Sequence, residues 1–419
     1  FVGTFMWYAS YIIWMVNVGT GIWVPLSNAL FGSDLTSTWS LFGLNSVQIL
    51  GVLGICWILF VTVIGSKGLN KISKITSVGG TAVTLLIGGI AVFAVNGGLA
   101  QPINNIAESL TTAPSAEYQS TTGILSFMTF AIFAFGGLEA VGGLVDQTEN
   151  AEKTFPKGVT ISAIVISVGY AIGIFACGMF TNWNEILNSD SVHLGNVAYV
   201  LMKNLGYQLG IGFGASEAVA LSMGSWVARL VGISMFLSLT GAFFTLSYTP
   251  LKTLIQGSPK EIWPGKMGEL KDGMPVYAMR VQAVIVIFII ALVSFGGDSA
   301  SEFFTILTLM TNVAMTIPYM FLSLAFVKFK KKQLNGEIDS PFMIYKTEKM
   351  AIVFSVIVTF VVGFANVFTI IQPVISGASN GIIETSAMIG GPVVFSLVAY
   401  LLYSNYENKH MKSKKIKNI

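Results

Sequence analysis

Long apolar runs separated by short polar connections make up most of the chain. A helix needs about 20 mostly apolar residues to cross a bilayer core of about 30 Å. We count ten such runs, at residues 3–31, 47–64, 76–95, 123–144, 159–180, 227–246, 276–295, 303–327, 351–371 and 387–403. An amphipathic piece at residues 196–205 indicates a further helix that lies at the membrane interface. The pattern predicts an all-α, multi-pass membrane protein with about ten transmembrane helices.

Composition agrees with this prediction. The 419 residues are 53% hydrophobic and only 10% charged, against about 25% charged residues in a soluble domain. The net charge of +3 gives no reason to expect a nucleic-acid partner. The two cysteines, Cys56 and Cys177, lie inside apolar runs, which is typical of small buried side chains rather than a disulfide. We therefore expect one transmembrane domain, residues 1–419, in the cell (cytoplasmic) membrane.

Basic residues collect on one set of connections, which tests the span count independently. If the ten runs alternate in direction, all but Lys203 and Arg229 of the 23 Lys and Arg residues fall on the same side. Cytoplasmic loops carry this excess of positive charge. The bias predicts that both ends of the chain are cytoplasmic, with a basic tail at residues 404–419 beside anionic lipid.

The fourth run contains the stretch FAFGGLEAVGG, residues 133–143, with Glu139 as the only ionisable side chain between positions 124 and 144. At about 1.5 Å per residue, the Gly136-Gly137 pair lies near mid-bilayer. Glycine is a poor helix former, so a broken helix is the simpler interpretation. Unwound backbone at that depth is tolerated only where it is buried in protein or lines a cavity. The stretch therefore predicts a solute site at the break.

Glu139 has two interpretations, which are compatible. A carboxylate in the first turn of a second half-helix stabilises that N-terminus, so Glu139 could act as a cap only. Ionisable groups at mid-membrane are costly and commonly line transport pathways, so Glu139 could instead couple protonation or gating to solute occupancy. The residues alone leave both open.

Three segments resemble the amino acid/polyamine/organocation (APC) superfamily of permeases. GGLEAVGGLVDQTENAEKTFPKG is similar to that family's sixth span and the loop after it, although Ala151 replaces a proline of the pattern and its acidic position is displaced to Asp146 or Glu149. DGMPVYAMRVQ resembles the opening of the ninth span, and TIPYMF the tenth. The branch that looks nearest contains glutamate/4-aminobutyrate antiporters.

The resemblance implies a twelve-span, inverted-repeat (LeuT-like) fold whose broken spans are the first and the sixth. Because the broken span here is the fourth run, we expect Phe1 to begin the family's third span, with two spans missing before it. VGTGIWVP, residues 18–25, looks superficially like the broken first span, but we interpret its small residues as a helix contact face.

The resemblance also implies a site for a small amino acid or amine. By position, Phe133 would be an aromatic gate, and the backbone of Ala134, Phe135, Gly136 and Gly137 would bind the charged ends of the solute. Trp14, Asn17, Phe243 and Phe244 would face the site, with ordinary packed aromatics as the alternative for Trp14, Phe243 and Phe244. Glu139 would serve coupling or gating. No metal or cofactor is predicted, and the oligomeric state is left open.

Coupling and rival functions follow from what the spans contain. Some relatives hold a lysine where sodium-coupled members bind their ion, but ITSVGGTAVTLL, from Ile75, has none. This favours exchange, or proton coupling through Glu139, over sodium coupling. An enzyme is not expected, because the two histidines, His193 and His410, are predicted to be solvated loop residues. A transporter-like nutrient receptor or a channel is the alternative to a permease.

Overall fold

The computed structural model describes residues 1–76, 113, 118–137, 139, 140, 142, 145, 148–178, 180–183, 186, 189, 191–295, 299–338, 345–378 and 380–417. These residues are almost entirely helical. The helices are α1 (Val2–Gly21), α2 (Trp23–Phe31), α3 (Ser46–Thr76), α4 (Thr121–Ala134), α5 (Ala151–Gly178), α6 (Val197–Gly212), α7 (Glu217–Leu246), α8 (Thr249–Gln256), α9 (Val276–Ser294), α10 (Ala300–Leu334), α11 (Glu348–Ile375) and α12 (Gly381–Lys417).

Eight helical segments of the described chain are long and apolar enough to cross a membrane, with α1–α2 and α7–α8 each counted as one. They match eight of the ten predicted runs. The run at residues 123–144 instead contains α4, which has only 14 residues, and the run at 76–95 lies outside the described residues apart from Thr76. The amphipathic piece forms α6, 16 residues long. The predicted fold class, an all-α multi-pass membrane protein, is confirmed.

Two stretches of the chain repeat one order of elements. Each has a long helix, a short helix, a single 3₁₀ turn, a tight turn and a second long helix. The first stretch contains α1, α2, Thr36–Thr38 and α3, and the second contains α7, α8, Lys260–Ile262 and α9. An isolated β-bridge closes each tight turn, at Leu41–Leu44 and Lys271–Met274.

The tight turns also share their backbone conformation. The central residues have φ of 51° and 80° at Phe42 and Gly43, and 53° and 75° at Asp272 and Gly273. Positive φ at both central positions is the mark of a type I′ turn. The same local structure therefore precedes α3 and α9.

The two stretches run in opposite directions. Trp14 of α1 stacks on Phe243 near the end of α7, whereas Gly32, just after α2, lies against Ser225 near the start of α7. Residue numbers therefore increase in opposite directions along the two stretches. This is the relation that an inverted repeat requires.

α1 occupies the centre of the molecule. Its residues from Phe5 to Ile13 are all buried, and it packs against α3, α9, α10 and α12. By contrast, apolar side chains of α5 such as Ile161, Val165 and Ile174 are exposed, as expected for a helix facing lipid. Residues on α1 are therefore placed to line an internal site.

The prediction that both histidines are solvated loop residues was wrong. His193 is only 9% exposed, and its ring stacks on Phe304 at 5.2 Å. Its Nδ1 accepts a hydrogen bond from the Gly195 N–H, and its Nε2 lies 3.5 Å from Asp34. His410 falls within α12 rather than in a connection. Hydropathy along a connection carries no information about how the connection packs, so this burial was invisible in the sequence.

Asp34 joins two connections that are distant in the sequence. Its carboxylate accepts hydrogen bonds from the Thr36 N–H and hydroxyl and from the Asn196 amide. Burial acts to raise the pKa of Asp34, but the nearby His193 ring and the hydrogen bonds from Thr36 and Asn196 outweigh it, so the pKa lies below its usual value. The connection after α2 is thereby fixed to the segment that precedes α6.

Candidate functional site

The predicted helix break is present. α4 begins at a Ser120 cap that accepts a hydrogen bond from the Gly123 N–H, and it ends at Ala134. The N–H groups of Phe135 and Gly136 then bond three residues back, to Ile132 and Phe133, instead of four. Gly137 has a φ of 106°, which L-residues rarely adopt. Since 14 residues of helix reach only about 21 Å, the chain unwinds before α4 could cross a bilayer.

The Glu139 carboxylate lies at the centre of a hydrogen-bond cluster beside this break. Oε1 accepts from the hydroxyl of Tyr319 at 2.8 Å, the indole N–H of Trp7 at 3.1 Å and the hydroxyl of Tyr11 at 3.2 Å. Oε2 accepts from the backbone N–H of Gly137 at 3.0 Å. All four partners present an N–H or O–H group to the carboxyl oxygens, which have lone pairs to accept these bonds. We call these five residues the Glu139 cluster.

The Glu139 cluster connects three separate elements. Trp7 and Tyr11 come from α1, Tyr319 from α10, and Glu139 with Gly137 from the broken span. The bond to Gly137 satisfies a local backbone donor, as the capping interpretation predicts. The other three bonds cross to different helices and are not explained by capping. Hydrogen bonds to a charged group contribute about 1.5–3 kcal/mol each. This one side chain therefore stabilises the packing of α1 and α10 against the broken span.

Sequence reasoning identified Glu139 but missed its three side-chain partners. Trp7, Tyr11 and Trp14 follow at i, i+4 and i+7, and therefore share one face of α1. Tyr319 lies within TIPYMF, the segment that carries the resemblance to a tenth span. Polar-tipped aromatics on one helix face were the available signal, because a buried Tyr or Trp needs a partner for its donor.

Gly136 allows Tyr319 to approach the break. A Cβ at position 136 would lie 2.9 Å from the Tyr319 hydroxyl oxygen and 3.0 Å from the Phe133 carbonyl oxygen. Real Cβ contacts are rarely so short, so only glycine fits without a shift. At Gly137 no atom lies within 4 Å of the added Cβ, and the constraint there is the positive φ alone. The two glycines thus serve different purposes.

Several of the other predicted site residues continue from this cluster along α1. Trp14 stacks on Phe243 with ring centroids 5.6 Å apart. Asn17 donates a hydrogen bond to the Thr311 hydroxyl of α10 at 3.2 Å. Together with Tyr11, Trp14 and Asn17 follow α1 from the Glu139 cluster toward its C-terminal end.

Phe244 and Phe135 make different contacts. The Phe244 ring is buried and contacts Trp57 and Phe60 of α3. Phe135 is 43% exposed and lies 5.6 Å from the ring of Tyr170 on α5. Phe133 is half-buried and packs against the core that contains α1.

Comparisons with known proteins agree with this arrangement. A family model described as amino acid permease matches residues 1–395. The inner membrane transporter YjeM of Escherichia coli K12 is 52% identical over 420 residues, covering 99% of this chain and 82% of that protein. The aspartate/glutamate permease AcaP of Lactococcus lactis is 23% identical over 366 residues, covering 83% and 68%. The aromatic amino acid transport protein AroP of Escherichia coli is 24% identical over 264 residues, covering 62% and 51%.

The match covers nearly the whole chain and confirms the resemblance seen in the three segments. The relatives are named as transporters and permeases, which confirms that an enzyme was rightly not expected. The chain thus belongs to the amino acid permease family of the APC superfamily and is a multi-pass membrane transporter of amino acids.

Proposed function

We propose that this transporter exchanges a small amino acid or amine across the cell membrane by alternating access around the break in its fourth predicted span. The observation that carries the proposal is the Glu139 cluster. One carboxylate holds α1 and α10 together across a helix that has come unwound. Broken helices at mid-membrane are a recurrent feature of secondary transporters, whose two halves rock around a central site.

The charge bias supports the orientation of the gate. With all but Lys203 and Arg229 of the 23 basic residues on one side, both chain ends are cytoplasmic. Trp7 and Tyr11 then lie in the cytoplasmic half of α1. In the proposal, the Glu139 cluster is accordingly the closed form of a cytoplasmic gate, and Trp14 and Asn17 lie above it toward the outside.

The solute is proposed to bind above this gate. In the proposal, Phe133 covers the solute, and the backbone of residues 134–137 binds its charged amino and carboxyl groups. The stacked pair Trp14–Phe243 and the amide of Asn17 supply the side wall, with Phe244 supporting the pair through its contacts with Trp57. A mixture of apolar surface and a few polar groups is typical of small-molecule sites.

Glu139 is proposed to do more than cap a helix. Breaking its bonds to α1 and α10 is the step that would open the cytoplasmic side. Both a proton and the solute would compete with the donors of α1 and α10 for the carboxylate. Competition by the solute would give exchange, and competition by a proton would give proton coupling. The exposed carboxylate of Glu217, at the start of α7, offers a control acid outside this cluster.

Counterflow in proteoliposomes tests the proposal. Proteoliposomes that contain the natural full-length protein are loaded with one unlabelled amino acid at a time, and uptake of the labelled form of that amino acid is measured. Internal amino acid should accelerate uptake; a channel would show flux without this acceleration, and a receptor would show no flux. Glu139→Gln should reduce the accelerated rate and change its pH dependence, whereas Glu217→Gln should do neither. Equal behaviour of the two variants would refute the gate.

A further inference from the structure

One face of α10 runs from a cavity to the Glu139 cluster. Thr305, Asn312 and Tyr319 are spaced by seven residues, so each is rotated by only about 20° from the one before it and displaced by about 10 Å. Tyr319 donates to Glu139. Thr305 lines a cavity of about 640 Å³, whose other polar lining residues include Ser120, Thr122, Gln372, Ser376 and Glu384. Asn312 lies midway between the two.

Asn312 differs in its hydrogen bonding from Asn366, a buried asparagine of the neighbouring α11. It is fully buried, and neither its amide nitrogen nor its amide oxygen has a hydrogen-bond partner among the residues that the structure describes. Asn366 of α11, also buried, is satisfied: it accepts from the Thr316 hydroxyl and donates to the Val362 carbonyl. A buried amide without partners is unfavourable, and such groups commonly have a functional reason.

We infer that Asn312 contacts the transported amino acid and selects a side chain that both donates and accepts hydrogen bonds, as a carboxamide or hydroxyl does. The inference rests on the proposed function. An amide presents two N–H donors and one carbonyl acceptor, so a carboxylate could satisfy only the nitrogen, and an ammonium only the oxygen. Thr305, Asn312 and Tyr319 are uncharged, and the acids at the two ends of this face, Glu139 and Glu384, do not neutralise an acidic side chain.

The inference therefore predicts a substrate order. Glutamine, asparagine, serine or threonine should compete better than glutamate, aspartate or alanine. This class differs from the acidic and aromatic amino acids in the names of two of the relatives. A site with buried polar groups rejects solutes that leave those groups unpaired.

Two measurements on the natural full-length protein test the inference. The first is the Tm without substrate. Asn312→Leu keeps the number and branching of heavy atoms and removes an unsatisfied group, so its Tm should equal or exceed the wild-type value. Asn366→Leu breaks two hydrogen bonds and should lower the Tm. If Asn312→Leu lowers the Tm as Asn366→Leu does, Asn312 has structural partners and the inference is overturned.

The second measurement is inhibition of uptake by each amino acid. Asn312→Leu should weaken competition by glutamine at least about tenfold, the equivalent of about 1.4 kcal/mol, and leave competition by alanine unchanged. Asn312→Thr, which keeps a donor and an acceptor, should retain part of the preference. Asn366→Leu should keep the wild-type order.

The outcomes separate this inference from the proposed function. Two results would overturn the role of Asn312 alone, provided that the wild-type protein shows counterflow. The first is that Asn312→Leu leaves the ratio of inhibition by glutamine to inhibition by alanine unchanged. The second is that the wild-type protein prefers glutamate to glutamine. Absence of wild-type amino acid flux would overturn the proposed function and this inference with it.

Discussion

Replacement of Gly136 with alanine should weaken the Glu139 cluster, because the added methyl group displaces the Tyr319 hydroxyl from Glu139. The added Cβ would lie 2.9 Å from the Tyr319 hydroxyl oxygen, whereas ordinary contacts begin at 3.4 Å. The hydroxyl must therefore retreat by about 0.5 Å. Its hydrogen bond to Glu139 is 2.8 Å long, and a displacement of this size lengthens or misaligns it.

The expected cost is that of one hydrogen bond to a charged group, about 1.5–3 kcal/mol. Converted at about 1.4 kcal/mol per tenfold, this shifts the equilibrium between closed and open gate by roughly 10- to 100-fold toward the open form. A gate biased to one state limits exchange, because the transporter must visit both states in every cycle.

A double-mutant cycle with Tyr319→Phe isolates the contact. Phenylalanine removes both the hydrogen bond and the nearest atom that a Cβ at position 136 would meet. Exchange rates in proteoliposomes should therefore fall similarly in Gly136→Ala, Tyr319→Phe and the double variant. Gly137→Ala is the matched control: it meets no atom within 4 Å but forces alanine into a φ of 106°, so its effect should add to that of Tyr319→Phe. Additive effects of Gly136→Ala and Tyr319→Phe would refute the reasoning.

Three further variants probe other parts of the structure. Glu139→Gln places an NH₂ group among four donors, so at least one bond must be lost and the Tm should fall by several degrees in a thermal-unfolding assay; an unchanged Tm would mean that the cluster contributes nothing. Trp14→Leu removes the stacking on Phe243 and should raise the KM of exchange about threefold or more with little change in Tm; a fall in Tm with unchanged KM would assign Trp14 to packing only. Because the pKa of Asp34 is lowered in the folded state, its carboxylate stabilises the fold fully at pH values above the pKa of the unfolded state, about 3.8. This contribution to the free energy of unfolding is lost as the pH falls through the lower pKa of the folded state. The wild-type Tm should therefore drop on acidification below about pH 4 more steeply than that of Asp34→Asn; parallel curves would contradict this.

The spans and the break were predictable because both depend on local composition. A bilayer imposes a length and an apolar composition on each helix, and two adjacent glycines weaken a helix wherever they occur. For this reason the runs and the interruption at Gly136-Gly137 could be predicted directly from the sequence, whereas the coupling role of Glu139 stays a proposal. The run at residues 76–95 lies outside the described residues and stays a prediction.

The partners of Glu139 could not be predicted because they depend on packing between distant helices. Trp7 and Tyr319 are more than 300 residues apart in the sequence and meet only after α1 and α10 pack together. The local sequence of neither helix indicates that Trp7 and Tyr319 donate to the same carboxylate. The burial of His193 was missed for the same reason, since its neighbours Asp34 and Phe304 each lie more than 100 residues from it in the sequence.

Family resemblance named the residues that we propose to line the site, and the structure specifies which of their side chains are in contact. Trp14 with Phe243 and Asn17 with Thr311 are contacts that a position in a motif does not provide. Their roles in binding stay a proposal until substrate is tested. Asn312 lies outside every motif, and the lack of partners for its buried amide is a property of the packing and not of the local sequence.

The most direct test of the central claim is a distance measurement across the cytoplasmic gate. Spin labels replace two exposed residues, Glu152 at the start of α5 and Lys332 at the end of α10, in full-length protein without Cys56 and Cys177. If the Glu139 cluster is a gate, the distance distribution should contain a closed and an open population, substrate should shift their ratio, and Glu139→Gln should enrich the longer distance. A single distance that neither substrate nor Glu139→Gln alters would contradict the account.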